Sequence, residues 1–115
     1  MTKVVFERNE NTFCLCCSGH AGYGEKGKDI VCAGISALCG ALEIALDNLQ
    51  NTGMAQTHFC SWSDATFCAE ATAVPAKAGV ETVFEFAYDG LCRLEEAYSP
   101  YLECRRYING KEMTA

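Results

Sequence analysis

Apolar residues in this chain recur with helical spacing in two long stretches. The first covers residues 35–49 at intervals of three or four positions, which predicts a helix that ends near Asn51. The second covers residues 80–98 and ends at Ser99-Pro100, a pair that terminates a helix. A helix cannot bury its own apolar stripe, so the rest of the chain must supply a layer on which both helices pack.

Strand-like segments supply that layer. Residues 3–8 and 11–19 predict one hairpin, and residues 57–62 and 65–74 predict another, because turn-forming residues separate the members of each pair. A last short strand over residues 102–108 is expected at the edge of the sheet. The sequence therefore predicts an α+β fold of order β-β-α-β-β-α-β, an antiparallel sheet packed against two α-helices. A length of 115 residues fits a single domain with one core.

The chain has nine cysteines, and a high cysteine content is typical of small secreted proteins stabilised by disulfides. Their number is odd, the first residues lack the apolar stretch of a signal peptide, and several cysteines occur within apolar strand or helix patterns. We therefore expect reduced thiols that act as small hydrophobic side chains in a cytoplasmic protein. No apolar run approaches the roughly 20 residues of a membrane span, so no association with a membrane is expected.

The formal net charge of the chain is −6, and its Lys and Arg residues form no run. Direct binding to nucleic acid is not expected, because such binding needs a cationic surface that displaces counterions. An acidic surface favours a basic partner, through an attraction that salt screens. The charge is thus compatible with a basic peptide or protein as substrate.

The segment from Gly19 to Cys32 combines a histidine, several glycines, an aspartate and a cysteine at the beginning of the first predicted helix. A free thiol has a pKa of about 8.5, and a nearby imidazole or a helix N-terminus favours the thiolate. His20 is therefore the candidate general base and Cys32 the candidate nucleophile. This chemistry calls for no cofactor and no metal.

Asp29 is the expected N-cap of this helix, which places Cys32 in the first helical turn. The backbone N–H groups of Cys32 and Ala33 are then candidate donors to the oxyanion of a tetrahedral intermediate. Asp29 can also orient or help to charge the site. Capping alone, however, is a sufficient structural reason for an aspartate at this position.

The sequence Gly19-His20-Ala21, followed by GKDIVCAGISAL over residues 27–38, closely resembles the ribosomal-processing cysteine protease Prp family of bacteria. The resemblance is closest over residues 19–38 and extends more weakly over the whole chain. It implies a cysteine endopeptidase that removes a short N-terminal extension from large-subunit ribosomal protein L-twenty-seven during ribosome maturation. Residue by residue, it gives His20 the position of the general base and Cys32 that of the nucleophile.

The resemblance implies further features of the site. Gly22, Gly24 and Gly27 correspond to the family's mobile substrate loop, and Asp29 matches a family aspartate. Because the cleaved extension carries aromatic residues beside the scissile bond, an apolar pocket is implied near the histidine and the cysteine. Family members form homodimers, so a homodimer is also expected.

Two other functions stay open from the sequence. A zinc site could be built from Cys14, Cys16, Cys17, His58 and Cys60, although their spacing matches the paired ligands of zinc sites imperfectly. Alternation along a strand also directs Cys17 away from Cys14 and Cys16. In the other alternative, the chain is a non-enzymatic, ribosome-associated binding protein whose glycine-rich loop docks a partner.

Overall fold

The computed structural model describes residues 1–76 and 78–113. Its elements in chain order are β1 (Thr2–Asn9), β2 (Thr12–Ser18), α1 (Ile30–Asn51), β3 (Ala55–Ser63), β4 (Thr66–Ala73), α2 (Val80–Tyr98), β5 (Leu102–Ile108) and β6 (Lys111–Met113). The strands form a six-stranded sheet in the order β3-β4-β2-β1-β5-β6. The predicted α+β class is confirmed, as are the two predicted hairpins, β1-β2 and β3-β4.

Both helices pack on the same face of the sheet. Alternation along β1 and β2 directs five apolar side chains to this face and buries them, namely Val4, Phe6, Phe13, Leu15 and Cys17. The ring of Phe84 in α2 lies 5.8 Å from the ring of Phe13, and the Sγ of Cys39 in α1 lies 3.6 Å from the Sγ of Cys17. Each large apolar side chain buried in this way contributes roughly 1.5–3 kcal/mol relative to an exposed position.

Residues 102–108 form the predicted last strand, but this strand does not lie at the edge of the sheet. β5 pairs in parallel with β1 on one side and antiparallel with β6 on the other. The turn between β5 and β6 contains Asn109 and Gly110, whose φ values are 51° and 80°. Asn-Gly is a preferred pair for a tight hairpin turn with two positive φ values. The Asn-Gly signal for this third hairpin was therefore present in the sequence, but the hairpin itself was not predicted.

Glycines allow α1 and α2 to approach each other closely. A Cβ atom at Gly90 would lie 2.6 Å from Cδ2 of Leu38, and one at Gly34 would lie 3.1 Å from Cδ1 of Leu94. Each helix thus receives a leucine of the other against its backbone. Glycine weakens a helix by about 1 kcal/mol relative to alanine. At position 90, the close approach of Leu38 explains why α2 contains a glycine.

The prediction that no apolar run is long enough to span a membrane does not hold for α1. With 22 residues it is, by length and composition only, long and apolar enough to do so. In this structure its buried residues belong to the core shared with the sheet, namely Val31, Ile35, Cys39, Leu42 and Leu46. Packing against the sheet therefore accounts for the apolar residues on this face of α1, although only 28% of its most apolar stretch is buried.

The expectation that all cysteines are reduced is wrong. Cys16 and Cys68 form a disulfide on the face of the sheet opposite the helices. They stand opposite each other in the pairing of β2 with β4, with their Cα atoms 4.2 Å apart. This pairing joins residues 52 positions apart in the sequence, so no local pattern could have revealed it. The other seven cysteines are free thiols.

The backbone that follows β2 is attached to its neighbours on two sides. The N–H of Gly19 donates to the carbonyl of Ala65 at 2.7 Å, and the hydroxyl of Thr2 donates to the carbonyl of Gly19 at 2.8 Å. Gly19 has a φ of 90°, and a Cβ there would lie 3.0 Å from the carbonyl oxygen of Met1. Only glycine fits this position without strain. The hydrogen bonds of Gly19 therefore fix the backbone directly before His20.

Candidate active site

His20 and Cys32 come from different elements but line the same two cavities. His20 follows β2, whereas Cys32 lies in the first turn of α1. One cavity, of about 220 Å³, extends toward β3 and β4, and we call it the sheet-side cavity. The other, of about 390 Å³, is bordered by the loop of residues 22–27, and we call it the loop-side cavity. A peptide that occupied both cavities would therefore lie against His20 and Cys32.

The sheet-side cavity is lined largely by apolar side chains. Ile35 comes from α1, Trp62 from β3 and Phe67 from β4. The ring of Trp62 lies 4.7 Å from the ring of Phe67, and its Nε1 donates to the Glu43 carboxylate at 3.2 Å. Trp62 is nevertheless 47% exposed, so part of its ring is available to a ligand. An apolar pocket was expected beside the histidine and the cysteine, and this cavity has the composition to receive a large apolar side chain.

The loop-side cavity is bordered by the three glycines of the predicted substrate loop. Gly22, Gly24 and Gly27 all line it, together with Lys26. Gly22 and Gly27 have φ values of 77° and 86°, which other residues rarely adopt. Gly24 instead permits a close approach, because a Cβ there would lie 3.3 Å from the carbonyl oxygen of Lys28. The glycines thus give the loop a shape that leaves space beside the candidate reacting groups.

The Sγ of Cys32 accepts a hydrogen bond from the N–H of Ala21 at 3.4 Å. Ala21 directly follows His20, and its side chain is buried, with 2% exposed. The backbone beside the histidine is therefore held against the beginning of α1. An N–H directed at the sulfur is also a donor for negative charge on that atom.

Asp29 accepts hydrogen bonds from the backbone of both the helix and the loop. Its Oδ1 accepts from the N–H groups of Val31 and Cys32, both at 3.0 Å, and so caps α1 as predicted. Its Oδ2 accepts from the N–H groups of Tyr23 at 2.9 Å and Gly24 at 3.1 Å. These bonds, above all the one from Cys32, lower the pKa of Asp29 below its ordinary value, although desolvation opposes the shift. One carboxylate therefore caps the helix and fastens the loop to it.

The predicted oxyanion donors, the N–H groups of Cys32 and Ala33, are already engaged. The N–H of Cys32 donates to Oδ1 of Asp29, and the N–H of Ala33 donates to the carbonyl of Asp29, each at 3.0 Å. Neither group is free to bind an oxyanion in this conformation. The helix start was predicted correctly, but the sequence did not show that its first N–H groups are used by the cap.

Ser36 lines both cavities, although it was not among the predicted site residues. It follows Cys32 by one helical turn, so the two side chains lie on the same face of α1. The Ser36 side chain is exposed, and its hydroxyl can donate to or accept from a peptide backbone. A hydroxyl four positions after a candidate nucleophile was the available sequence signal.

The residues of the alternative zinc site are not assembled. Cys16 is in the disulfide, and the Sγ of Cys14 lies 3.9 Å from the Sγ of Cys16. Cys17 is buried on the opposite face of the sheet, and Nε2 of His58 is hydrogen-bonded to Oγ1 of Thr72 at 2.6 Å. Over residues 1–76 and 78–113, no three His, Cys, Asp or Glu side chains form a group that could hold a metal ion.

The variants Asp29→Asn and Asp29→Ala should separate the two roles of this carboxylate. Asparagine caps a helix about as well as aspartate, but its NH2 group cannot accept the N–H groups of Tyr23 and Gly24. We expect Tm to fall by a few degrees in Asp29→Ala and by less in Asp29→Asn. Hydrogen exchange should show loss of protection at both loop amides in both variants. Full protection of these amides in Asp29→Asn would mean that Asp29 is only a cap.

The lowered pKa of Asp29 also sets the pH range of its stabilising effect. A group whose pKa is lowered by folding contributes stability above its unfolded pKa, which is about 3.9 for aspartate. That contribution is lost as the pH falls through the lowered pKa. Thermal melts of wild type and Asp29→Asn should therefore differ by a constant amount near neutral pH and converge only below about pH 4.

Known proteins match this chain in sequence family and in fold. The model of the family described as cysteine protease Prp matches residues 1–103. The essential ribosomal processing protease Prp from S. aureus, solved with a covalently linked product peptide, has a TM-score of 0.71 and 23% identity, and the match covers 93% of this chain and 99% of that one. The S. aureus protease solved with a substrate peptide has a TM-score of 0.65 and 21% identity, over 92% of this chain and 99% of that one. At these identities the two structures establish the fold alone. No curated protein sequence matches the chain.

Proposed function

We propose that this chain, which belongs to the cysteine protease Prp family, removes the short N-terminal extension of large-subunit ribosomal protein L-twenty-seven. Family membership makes the chain a cysteine protease, whereas the substrate and the roles of individual residues belong to the proposal. The supporting observation is that His20 and Cys32 line the same two cavities. The S. aureus proteins of similar fold were solved with a substrate peptide and with a covalently linked product peptide, which favours a peptide as the ligand.

The proposed chemistry is acyl transfer through the cysteine. His20 accepts the thiol proton of Cys32, and the thiolate attacks the carbonyl carbon of the scissile bond. The new S–C bond replaces the C–N bond, and the imidazolium of His20 returns its proton to the leaving amine. Water, deprotonated by His20, then hydrolyses the thioester. This step releases the extension as a carboxylate and restores the thiol.

The developing oxyanion needs donors that are not already used. The hydroxyl of Ser36, which lines both cavities, is the candidate we favour. The N–H of Ala21 donates to Sγ of Cys32 at 3.4 Å and could turn to the oxyanion only after the sulfur has attacked. The N–H groups of Cys32 and Ala33 could contribute only after the first turn of α1 had rearranged, because both are engaged by Asp29.

We place the aromatic residue beside the scissile bond in the sheet-side cavity. Ile35, Trp62 and Phe67 give this cavity an apolar lining that suits an aromatic ring. The substrate chain would then pass Cys32 and continue along the loop-side cavity. The net charge of −6 on the protease favours the approach of a basic ribosomal protein.

We further propose that the protein is a cytoplasmic homodimer. The exposed large apolar side chains of the helix layer include Ile44 in α1, by 64%, and Phe86 in α2, by 74%. A second copy packed on this layer would remove both side chains from water. Sedimentation equilibrium should give twice the mass of the chain, and the mass of a monomer at all concentrations would contradict this part of the proposal.

The substrate is tested with a synthetic peptide that spans the extension and the first residues of the mature ribosomal protein. The protein is incubated with it under reducing conditions, and the products are identified by mass. We expect a single cut at the end of the extension, and no cut in a peptide of the same composition in permuted order. An intact extension peptide, or equal cleavage of the permuted peptide, would contradict the proposed substrate.

A further inference from the structure

The ring of Tyr23 lies between two aromatic rings that are not part of the loop. Its centroid is 5.4 Å from that of Tyr98 and 5.0 Å from that of Tyr101, and both pairs are edge-on. Tyr98 ends α2, and Tyr101 directly precedes β5. Although Tyr23 is 43% exposed, its side chain therefore joins the loop to the corner between α2 and β5.

This corner is fixed to the sheet by backbone hydrogen bonds. The N–H of Tyr101 donates to the carbonyl of Tyr98 at 2.8 Å, and the carbonyl of Tyr101 accepts from the N–H of Thr2 at 3.0 Å. Thr2 is buried, and its hydroxyl donates to the carbonyl of Gly19 at 2.8 Å. The residue before His20 and the residue three positions after it are thus attached to the same corner.

Between these attachments, the loop backbone contacts the beginning of α1 at two points. The N–H of Ala21 reaches the Sγ of Cys32 at 3.4 Å, and the N–H of Tyr23 reaches the Asp29 carboxylate at 2.9 Å. If the Tyr23 ring left its place, both contacts would lose their lateral support. His20 lies within the same short span, between the attached residues Gly19 and Tyr23.

We propose that Tyr23 is a positioning residue for the protease reaction. Its ring, held by Tyr98 and Tyr101, sets the loop backbone so that His20 faces Cys32. This inference rests on the proposed function, because it assumes that these two residues react together. Tyr23 lines neither cavity, so it acts through the loop and not through contact with substrate. Edge-on packing uses the ring and not the hydroxyl, so phenylalanine should replace Tyr23 and alanine should not.

The first experiment compares Tyr23→Phe and Tyr23→Ala on the extension peptide. We expect kcat/KM to fall at least about tenfold in Tyr23→Ala, mainly through kcat, because misplaced reacting groups slow the chemical step while the substrate contacts persist. Tyr23→Phe should stay within about twofold of wild type. Phe59→Ala is the matched control, because Phe59 is also 43% exposed and lines neither cavity. Wild-type kcat/KM in Tyr23→Ala, or an equal loss in Tyr23→Phe, would overturn the proposal.

The second experiment needs no peptide substrate. The rate at which iodoacetamide alkylates Cys32 is followed by peptide mapping in wild type, Tyr23→Ala, His20→Ala and the double variant. If Tyr23 acts mainly through His20, the alanine substitution should change this rate at least about threefold in wild type and by clearly less in the His20→Ala background, where only the contact of the Ala21 N–H with the sulfur is left to be weakened. An equal change in both backgrounds, or none in wild type, would overturn the positioning role. These outcomes are informative even if the extension peptide is not cleaved, so the failure of the proposed substrate and the failure of this inference can be told apart.

Tyr23→Leu serves as a second variant of similar size. It should also lose activity, because leucine cannot form the edge-on contacts with Tyr98 and Tyr101. Hydrogen exchange at α1 amides should be unchanged in both Tyr23→Ala and Tyr23→Leu, while the loop amides of Tyr23 and Gly24 become less protected. Loss of protection throughout α1 would instead show that Tyr23 supports the fold as a whole, which would also overturn the proposal.

Discussion

Replacing Cys32 by alanine is expected to lower kcat/KM for the extension peptide by about 10³-fold or more. Without the thiol no thioester can form, and the remaining groups of the site can only bind and orient the peptide. Binding should persist, because the methylene and thiol of Cys32 form only a small part of the walls of the two cavities. The measurement is the rate of product formation by mass, together with the affinity of the variant for the uncleaved peptide.

Cys92→Ala is a suitable control for this substitution. Cys92 is a free, half-buried thiol in α2 that lines neither cavity, so its loss tests for a general effect of removing a cysteine. We expect activity close to that of wild type in this variant. Cleavage by Cys32→Ala at a rate near that of wild type would exclude Cys32 as the nucleophile.

Replacing His20 by alanine is expected to lower kcat/KM by about 10²–10⁴-fold. This is the usual range for loss of a positioned general base, and here the same residue also returns the proton to the leaving amine. Addition of free imidazole should restore part of the rate, because the cavity left by the side chain borders the Cys32 sulfur. Rates are measured at fixed pH with and without imidazole.

The chain provides a matched control in its other histidine. His58 is exposed on β3 and is hydrogen-bonded to Thr72, so His58→Ala should keep the wild-type rate. The double variant of His20 and Cys32 should be no slower than Cys32→Ala alone, because residues that act as a unit have non-additive effects. Full activity in His20→Ala, or an equal loss in His58→Ala, would contradict the assigned role.

The parts of the fold that local patterns determine could be predicted from the sequence. Helical spacing placed α2 over residues 80–98 and ended α1 at Asn51, as the structure has them. Strand alternation correctly put Phe13, Leu15 and Cys17 on one face of β2. These predictions succeeded because each depends on residues only a few positions apart.

Features that depend on distant pairing could not be predicted in the same way. The parallel pairing of β1 with β5 and the disulfide between Cys16 and Cys68 both join segments that are far apart in the sequence. The role of Tyr23 depends on two rings at the end of α2 and the start of β5. Its glycine-rich surroundings gave no signal for such an attachment.

In the candidate site, too, the features set by nearby residues could be predicted and those set by distant residues could not. The positions of His20 at the end of a strand, of Cys32 in the first helical turn and of Asp29 as its N-cap followed from the sequence. The sequence did not show that the second oxygen of Asp29 fastens the loop, because this needs the loop to fold back onto the helix. The N–H groups of Cys32 and Ala33 are unavailable for a related reason, since the carboxylate and carbonyl of Asp29 already accept them.

The thioester between Cys32 and the extension is the most direct test of this account. A reaction of wild-type protein with the extension peptide is quenched in acid before completion, and the intact mass and its digest are recorded. We predict a mass increase equal to the N-terminal fragment less one water, located on Cys32, removed by hydroxylamine and absent in Cys32→Ala. Product formation with the adduct on another of the nine cysteines, or continued cleavage in Cys32→Ala, would contradict the account.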